Sequence, residues 1–165
     1  MLEVLRSGTM RGHPKLDDLG HTLTRERWTL VAEFRHQALV AGEREFLSFE
    51  DGTKVSFSEF DHLTDCLATA LTELGVQAGD RILGLLTNSR EFMLTMIATH
   101  KVRAIFVPIN TELRGNFLEH QVHNISPRVI VVDDGLIDRF DAVDTSHTAI
   151  KSVVKVGDEL SLIHI

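Results

Sequence analysis

The feature that most constrains the fold is an alternation of short apolar runs with longer amphipathic stretches from residue 81 to 156. Arg81–Leu86 and Arg128–Val132 are short apolar runs that suit strands buried on both faces, Ala104–Ile109 reads as a further strand, and Ile150–Val156 as a final one. Between the first two, Asn88 followed by Glu91 reads as a helix cap with a back-reaching side chain. The helix it opens runs through about His100, with Phe92, Met96 and Thr99 or His100 inward. Thr111 opens another that carries Leu113, Phe117, Leu118, Val122 and Ile125, and Leu136–Phe140 reads as one more short helix. Strands alternating with helices in this way predict an α/β fold with a mostly parallel sheet flanked by helices.

Ahead of this unit the pattern predicts a helix and a β-hairpin. Thr29 caps a helix with Leu30, Val31, Phe34, Ala38 and Leu39 on one face, ending at Gly42. Glu45–Glu50 and Lys54–Phe57 flank Asp51-Gly52, whose glycine supplies the positive φ of a tight turn. Ser58 then caps a long helix, with Glu59 and Asp61 in its first turn, a stripe of Leu63, Leu67, Ala70, Leu71 and Leu74, and a stop at Gly75. Residues 1–28, broken by Gly8, Gly12, Pro14 and Gly20, read as a loosely ordered leader. The organised domain is expected over 29–160.

Composition narrows the functional classes. With 165 residues, 43% hydrophobic and 25% charged, the chain fits one soluble domain. A net charge of −7 lacks the basic footprint of nucleic-acid binding. The longest apolar stretch, Phe92–Ile109, is broken by His100, Lys101 and Arg103, so no transmembrane segment is expected. No secretory apolar region follows Arg6, Arg11 and Lys15, which predicts a cytoplasmic location. Cys66 is the only cysteine, which rules out an internal disulfide.

Reactive side chains are few and each has a plain structural reading. Gly75, Gly79 and Gly84 run from a helix end into a strand, the reverse of a dinucleotide fingerprint, and read as C-cap, turn and packing residues. No glycine-rich loop ends in Lys-Ser or Lys-Thr. His62 and Cys66 stand four apart on one helix, as do Asp61 and Asp65; the spacing permits a dyad, but a boundary cysteine and solvated carboxylates are the plainer account. His120 and His123 make half a metal site without further ligands at suitable spacing, so no metal is expected. Met93 and Met96 beside Phe92 read as core filling. Asp133-Asp134 ends a strand at the sheet's carboxyl edge, where open α/β folds bind ligands, and is either a binding feature or the start of a loop.

Several ordered blocks together carry a family resemblance: Val55-Ser56-Phe57-Ser58-Glu59-Phe60, Leu67-Ala68 through Leu74-Gly75-Val76, Gly79-Asp80-Arg81-Ile82, Asn88-Ser89-Arg90-Glu91-Phe92 and Val107-Pro108-Ile109-Asn110. Over 29–135 the chain resembles the N-terminal part of an ATP-dependent acyl-CoA synthetase, of the adenylate-forming superfamily, nearest to ligases for fatty or carnitine-like acids. The resemblance implies a reaction in which a carboxylate and ATP give an acyl-adenylate and pyrophosphate, and CoA then forms the thioester. ATP, Mg²⁺ and CoA are the cofactors it implies for the full-length enzyme, and a carboxylic acid the substrate.

The family's phosphate loop ending in Pro-Lys-Gly, its adenine and ribose motifs and its catalytic lysine match nothing in these residues. The chain is therefore expected to be a fragment, inactive alone, self-associating through an uncovered apolar face, and binding none of these cofactors firmly. No catalytic residue is assigned. Pro108, Ile109 and Asn110 are expected to line the acyl or CoA side of the pocket, the plainer alternative being that Pro108 and Asn110 only shape a turn. Arg103 stands where the family usually has glycine, which puts a glycine-only backbone there in doubt. Ser161–Ile165 resembles a translated adapter tail, so the stretch is either foreign and without structural information or native sequence that continues. The competing account is a standalone α/β binding or regulatory module without catalysis; a flavodoxin-like nucleotide binder would need phosphate loops that this sequence lacks.

Overall fold

A computed structural model describes residues 29–49, 52–157 and 161–163. The leader proposed for 1–28 lies outside the described residues. The chain divides into two compact units, Met1–Asp61 and His62–Ile165.

In the first unit, helix α1 spans Leu30–Val40, and the Thr29 hydroxyl accepts from the Ala32 amide at 3.1 Å, as a cap should. Only Phe34 of its expected apolar face is buried, and Leu39 is 86% exposed. At about 100° per residue Leu39 lies about 140° round the helix from Phe34, off the covered stripe. The hairpin pairs β1 (Glu45–Ser48) with β2 (Lys54–Ser56) antiparallel. Glu45 opposes Ser56 and Leu47 opposes Val55, so Phe46 is an extra residue, a bulge. Its ring packs 4.8 Å from Phe34, 4.7 Å from Phe57 and 5.1 Å from Phe60, forming the unit's aromatic core.

Helix α2 spans Phe57–Glu73, and its cap is Ser56, two residues earlier than the Ser58 expected. The Ser56 hydroxyl accepts from the Glu59 amide at 3.2 Å, while Ser58 Oγ donates to Glu43.

In the second unit, β3 (Arg81–Leu85), β4 (Ile105–Pro108), β5 (Val129–Asp133) and β6 (Ser152–Val156) are parallel, and β7 (Ser161–Ile163) adds antiparallel. The order is β4-β3-β5-β6-β7. Ser161–Ile163, within the stretch that resembles an adapter tail, pairs with Val153–Lys155. Alternate residues of the strands feed two cores. Ile82, Val129, Val131 and Val156 pack with Leu71 of α2 and Ala98 of α3 (Arg90–Lys101). Leu83, Leu85, Ile130, Val132 and Val153 pack with Leu118 and Val122 of α4 (Gly115–Ile125). Helices therefore cover opposite faces, as in a doubly wound sheet.

Several local expectations are refined or corrected. Ser89, not Asn88, caps α3: its hydroxyl accepts from the Phe92 amide at 3.2 Å, and Glu91 instead pairs with Arg90. Of the expected inward face of α3, Thr99 is buried and Phe92 packs half-buried against the first core, with Met96 half-buried, and Leu94, Thr95, Ile97 and Ala98 are buried as well. Helix α4 starts at Gly115 rather than after Thr111, and Phe117, one position off the Leu118–Val122 stripe, is 77% exposed. Asp134–Phe140 is a 3₁₀ helix that begins two residues before the short helix expected from Leu136, and β4 is an edge strand with exposed ends.

Two helices end in the same motif with different residues. After α2, the Val76 amide donates to Leu71 O and the Gly75 amide to Thr72 O, with Gly75 at φ 80°. After α3, Ala104 donates to Thr99 O and Arg103 to His100 O, with Arg103 at φ 61°. Both are Schellman caps. The glycine-type conformation doubted at Arg103 is thus retained, and the arginine bears its steric cost. Arg103→Gly is expected to raise stability by up to about 1 kcal/mol, less the entropy that glycine returns to the unfolded chain. Thermal melts followed by circular dichroism measure it, and a lowered midpoint would contradict the strain.

Candidate functional site at the carboxyl edge of the sheet

Strand β3 leads through α3 to β4 on one side, whereas β5 leads on to β6 on the other. The carboxyl ends of these adjacent strands therefore flank a topological switch point, the usual ligand crevice of an open α/β sheet. Asp133 closes β5 there. Its Oδ2 accepts from both the backbone amide and the hydroxyl of Thr87, each at 2.7 Å, tying the end of β5 to the loop between β3 and α3. Asp134 is turned away to an ion pair with Lys155 at 2.8 Å. Of the Asp133-Asp134 pair singled out in the sequence, only the first reaches across to Thr87.

The loop after β4 is at the same edge. Asn110 is exposed, and its Oδ1 accepts from the Glu112 amide at 2.9 Å, an Asx turn that shapes the entry to α4. Ile109 is half-buried against the second core, and its amide donates to Gly84 O at 3.0 Å. Ile105 and Ile109 donate toward β3, so Pro108 occupies an alternate position on the outer side of the edge strand, where a missing N–H breaks no ladder bond.

The opposite, amino edge of the sheet explains another block. Asp80 Oδ2 accepts from the Gln77 amide at 2.9 Å, and the Gly79 amide donates to Arg103 O at 2.9 Å. Arg81 donates through Nε to Ile125 O and through Nη2 to Ser126 O at 3.1 Å, placing a cation on the C-terminus of α4. Gly79-Asp80-Arg81 is therefore an anchoring device remote from the crevice. Arg81→Met is expected to lower stability by about 1–2 kcal/mol in urea unfolding, since exposure tempers charge-assisted bonds; an unchanged midpoint would remove the anchoring role.

The remaining candidates lie elsewhere. His62 Nε2 is 3.8 Å from Cys66 Sγ on α2, and Cys66 lines a cavity of about 390 Å³. Asp65 holds Lys101, whose side chain is 2% exposed, at 2.8 Å. His120 Nε2 meets the Asn124 amide and His123 Nε2 meets Asp144 O, each at 2.9 Å. The Asp144 carboxyl is held below its ordinary range by hydrogen bonds from the Ser146 hydroxyl and then the Ser146 amide, with smaller help from His123 and His147. Among the described residues no group of three or more His, Cys, Asp or Glu converges as a metal site. No helix among them is long and apolar enough to cross a membrane.

A doubly wound sheet with its loops gathered at a switch point defines an open α/β domain. Residues 34–164 match the model of the AMP-binding enzymes, and the chain belongs to that family. It is 26% identical to a 2-succinylbenzoate–CoA ligase of Oceanobacillus iheyensis over 78% of this chain and 29% of the relative. It is 30% identical to a 3-oxocholest-4-en-26-oate–CoA ligase of Rhodococcus rhodochrous over 66% of this chain and 20% of the relative. A solved fatty acyl CoA synthetase of Mycobacterium tuberculosis superposes with a TM-score of 0.71 at 22% identity, over 76% of this chain and 26% of that one, which shows the shared fold. The chain thus spans less than a third of the length of these relatives.

Proposed function

We propose that this chain is the scaffold portion of an acid–CoA ligase that joins a carboxylate to ATP, releases pyrophosphate and passes the acyl group to CoA. The observation that carries the reading is the family match, which spans both the sheet and its carboxyl edge, together with relatives named as ligases of carboxylates to CoA. A fatty or carnitine-like acid is the substrate class this reading favours, and the cytoplasm its location. Pro108, Ile109 and Asn110 would contribute to the acyl or CoA side of the crevice from the loop after β4. Asp133 and Thr87 would hold the facing loop. On this reading phosphate handling rests with the family's phosphate loop and catalytic lysine, which match nothing in these residues, so the chain alone is expected to be inactive.

The test is to sequence the native locus past codon 165 and express whatever the reading frame encodes. Carboxylate-dependent exchange of pyrophosphate into ATP, followed by thioester formation with CoA, is the expected result. The 165-residue chain should show neither. Firm ATP binding by this chain alone, or a genuine stop codon after Ile165, would overturn the reading in favour of a standalone binding module.

A further inference from the structure

The cavity between α2 and α3 plays no part in the ligase reading. It holds about 390 Å³, within the range of small-molecule sites, and Leu63, Leu67, Ala70 and Leu94 give it mostly apolar walls. Its polar groups are of a particular kind. Cys66 presents a free thiol on the wall, and the His62 imidazole lies 3.8 Å from that sulfur, one helical turn earlier. Arg90, which also lines the cavity, pairs with Glu91 at 3.0 Å. A nucleophile with an adjacent base, set beside an apolar chamber, has the parts needed to receive an apolar acyl group.

We propose that this cavity takes the hydrocarbon chain of a long-chain acyl thioester and that Cys66 accepts its acyl group. His62 Nε2 takes the thiol proton as Cys66 Sγ bonds to the carbonyl carbon. The bond from that carbon to the CoA sulfur then breaks, and the departing thiolate recovers the proton from His62. The products are S-acylated Cys66 and free CoA, with no change of oxidation state. Selectivity comes from the walls: a long alkyl chain has apolar surface to bury there and an acetyl group has almost none. The step is independent of the ligase reading, because the thioester is supplied ready-made.

The test incubates the chain with palmitoyl-CoA or with acetyl-CoA and follows intact mass. Cys66 is the sole cysteine, so any hydroxylamine-labile adduct reports on it alone. One palmitoyl group per chain is expected, forming at least about tenfold faster than acetyl; His62→Gln should slow it by about tenfold or more. Ala70→Phe, which fills the chamber from an exposed helix position, should abolish the preference for the long chain while leaving the thiol in place. Absence of an adduct, equal rates for the two thioesters, or the same palmitoylation rate in urea-unfolded chain would each overturn the proposal.

Discussion

Gly84→Val is expected to prevent stable folding, and Gly84→Ala to cost about 1–3 kcal/mol, although alanine is ordinarily the better residue in a strand. Gly84 sits in β3, inside the sheet, with β4 on one side and β5 on the other. An added Cβ would stand 2.7 Å from Phe106 Cε2 and 2.8 Å from Cζ, inside any allowed contact. Phe106 lies diagonally across the strand pair, since its direct partner is Ile82. Its ring is held edge-on by Phe92 of α3, with centroids 5.4 Å apart, so giving way disturbs a helix as well as a strand. Urea unfolding followed by circular dichroism measures the loss. In the double variant Gly84→Ala/Phe106→Leu, less than the sum of the single losses is expected, because the clash and the ring leave together. A neutral Gly84→Ala would mean that the ring is not confined over the glycine.

That close approach also marks what a sequence can and cannot disclose. The strands were legible because parallel strands covered on both faces must be apolar at successive positions, and Ile82–Leu86 and Val129–Val132 are. Which strand lies at the edge was not, because Ile105–Pro108 is as apolar as its neighbours, and its edge position follows from chain order through α4. Caps were misplaced where two competent residues stand close together: Ser56 and Ser58, or Asn88 and Ser89. Side-chain chemistry alone does not choose between them; the choice falls where the preceding backbone leaves its extended conformation. Arg103 shows the converse, since the hydrogen bonds of the Schellman cap hold the left-handed conformation against the residue's own preference.

The site was legible only in outline. Asp133 could be placed at a carboxyl edge from the strand it ends, but its partner Thr87 is 46 residues away and carries no local signal. The role of Arg81 was hidden for the same reason, its acceptors lying at Ile125 and Ser126. The Pro108–Asn110 loop was put forward on the resemblance alone. Its local part is physical: the Asx turn of Asn110 is the kind of short-range bond that a single sequence does encode.

Asp133→Ala is expected to lower stability by about 2–3 kcal/mol, the loss of two charge-assisted bonds tempered by the half-exposed position of the carboxylate. The two donors separate by substitution. Thr87→Val removes the hydroxyl and keeps the amide, so about half the loss should appear in it, whereas Asp133→Asn retains an acceptor oxygen and should fall between wild type and Asp133→Ala. Hydrogen exchange locates the effect. Amides of the loop from Thr87 to Ser89 should exchange faster in Asp133→Ala while those in the middle of α2 keep their protection, because the bond ties one loop rather than the sheet. Uniformly faster exchange would instead make Asp133 a general stability residue. A selective change would identify the carboxylate as the tie that keeps the β3–α3 loop against the end of β5, and so keeps the switch-point crevice shaped before any ligand enters it.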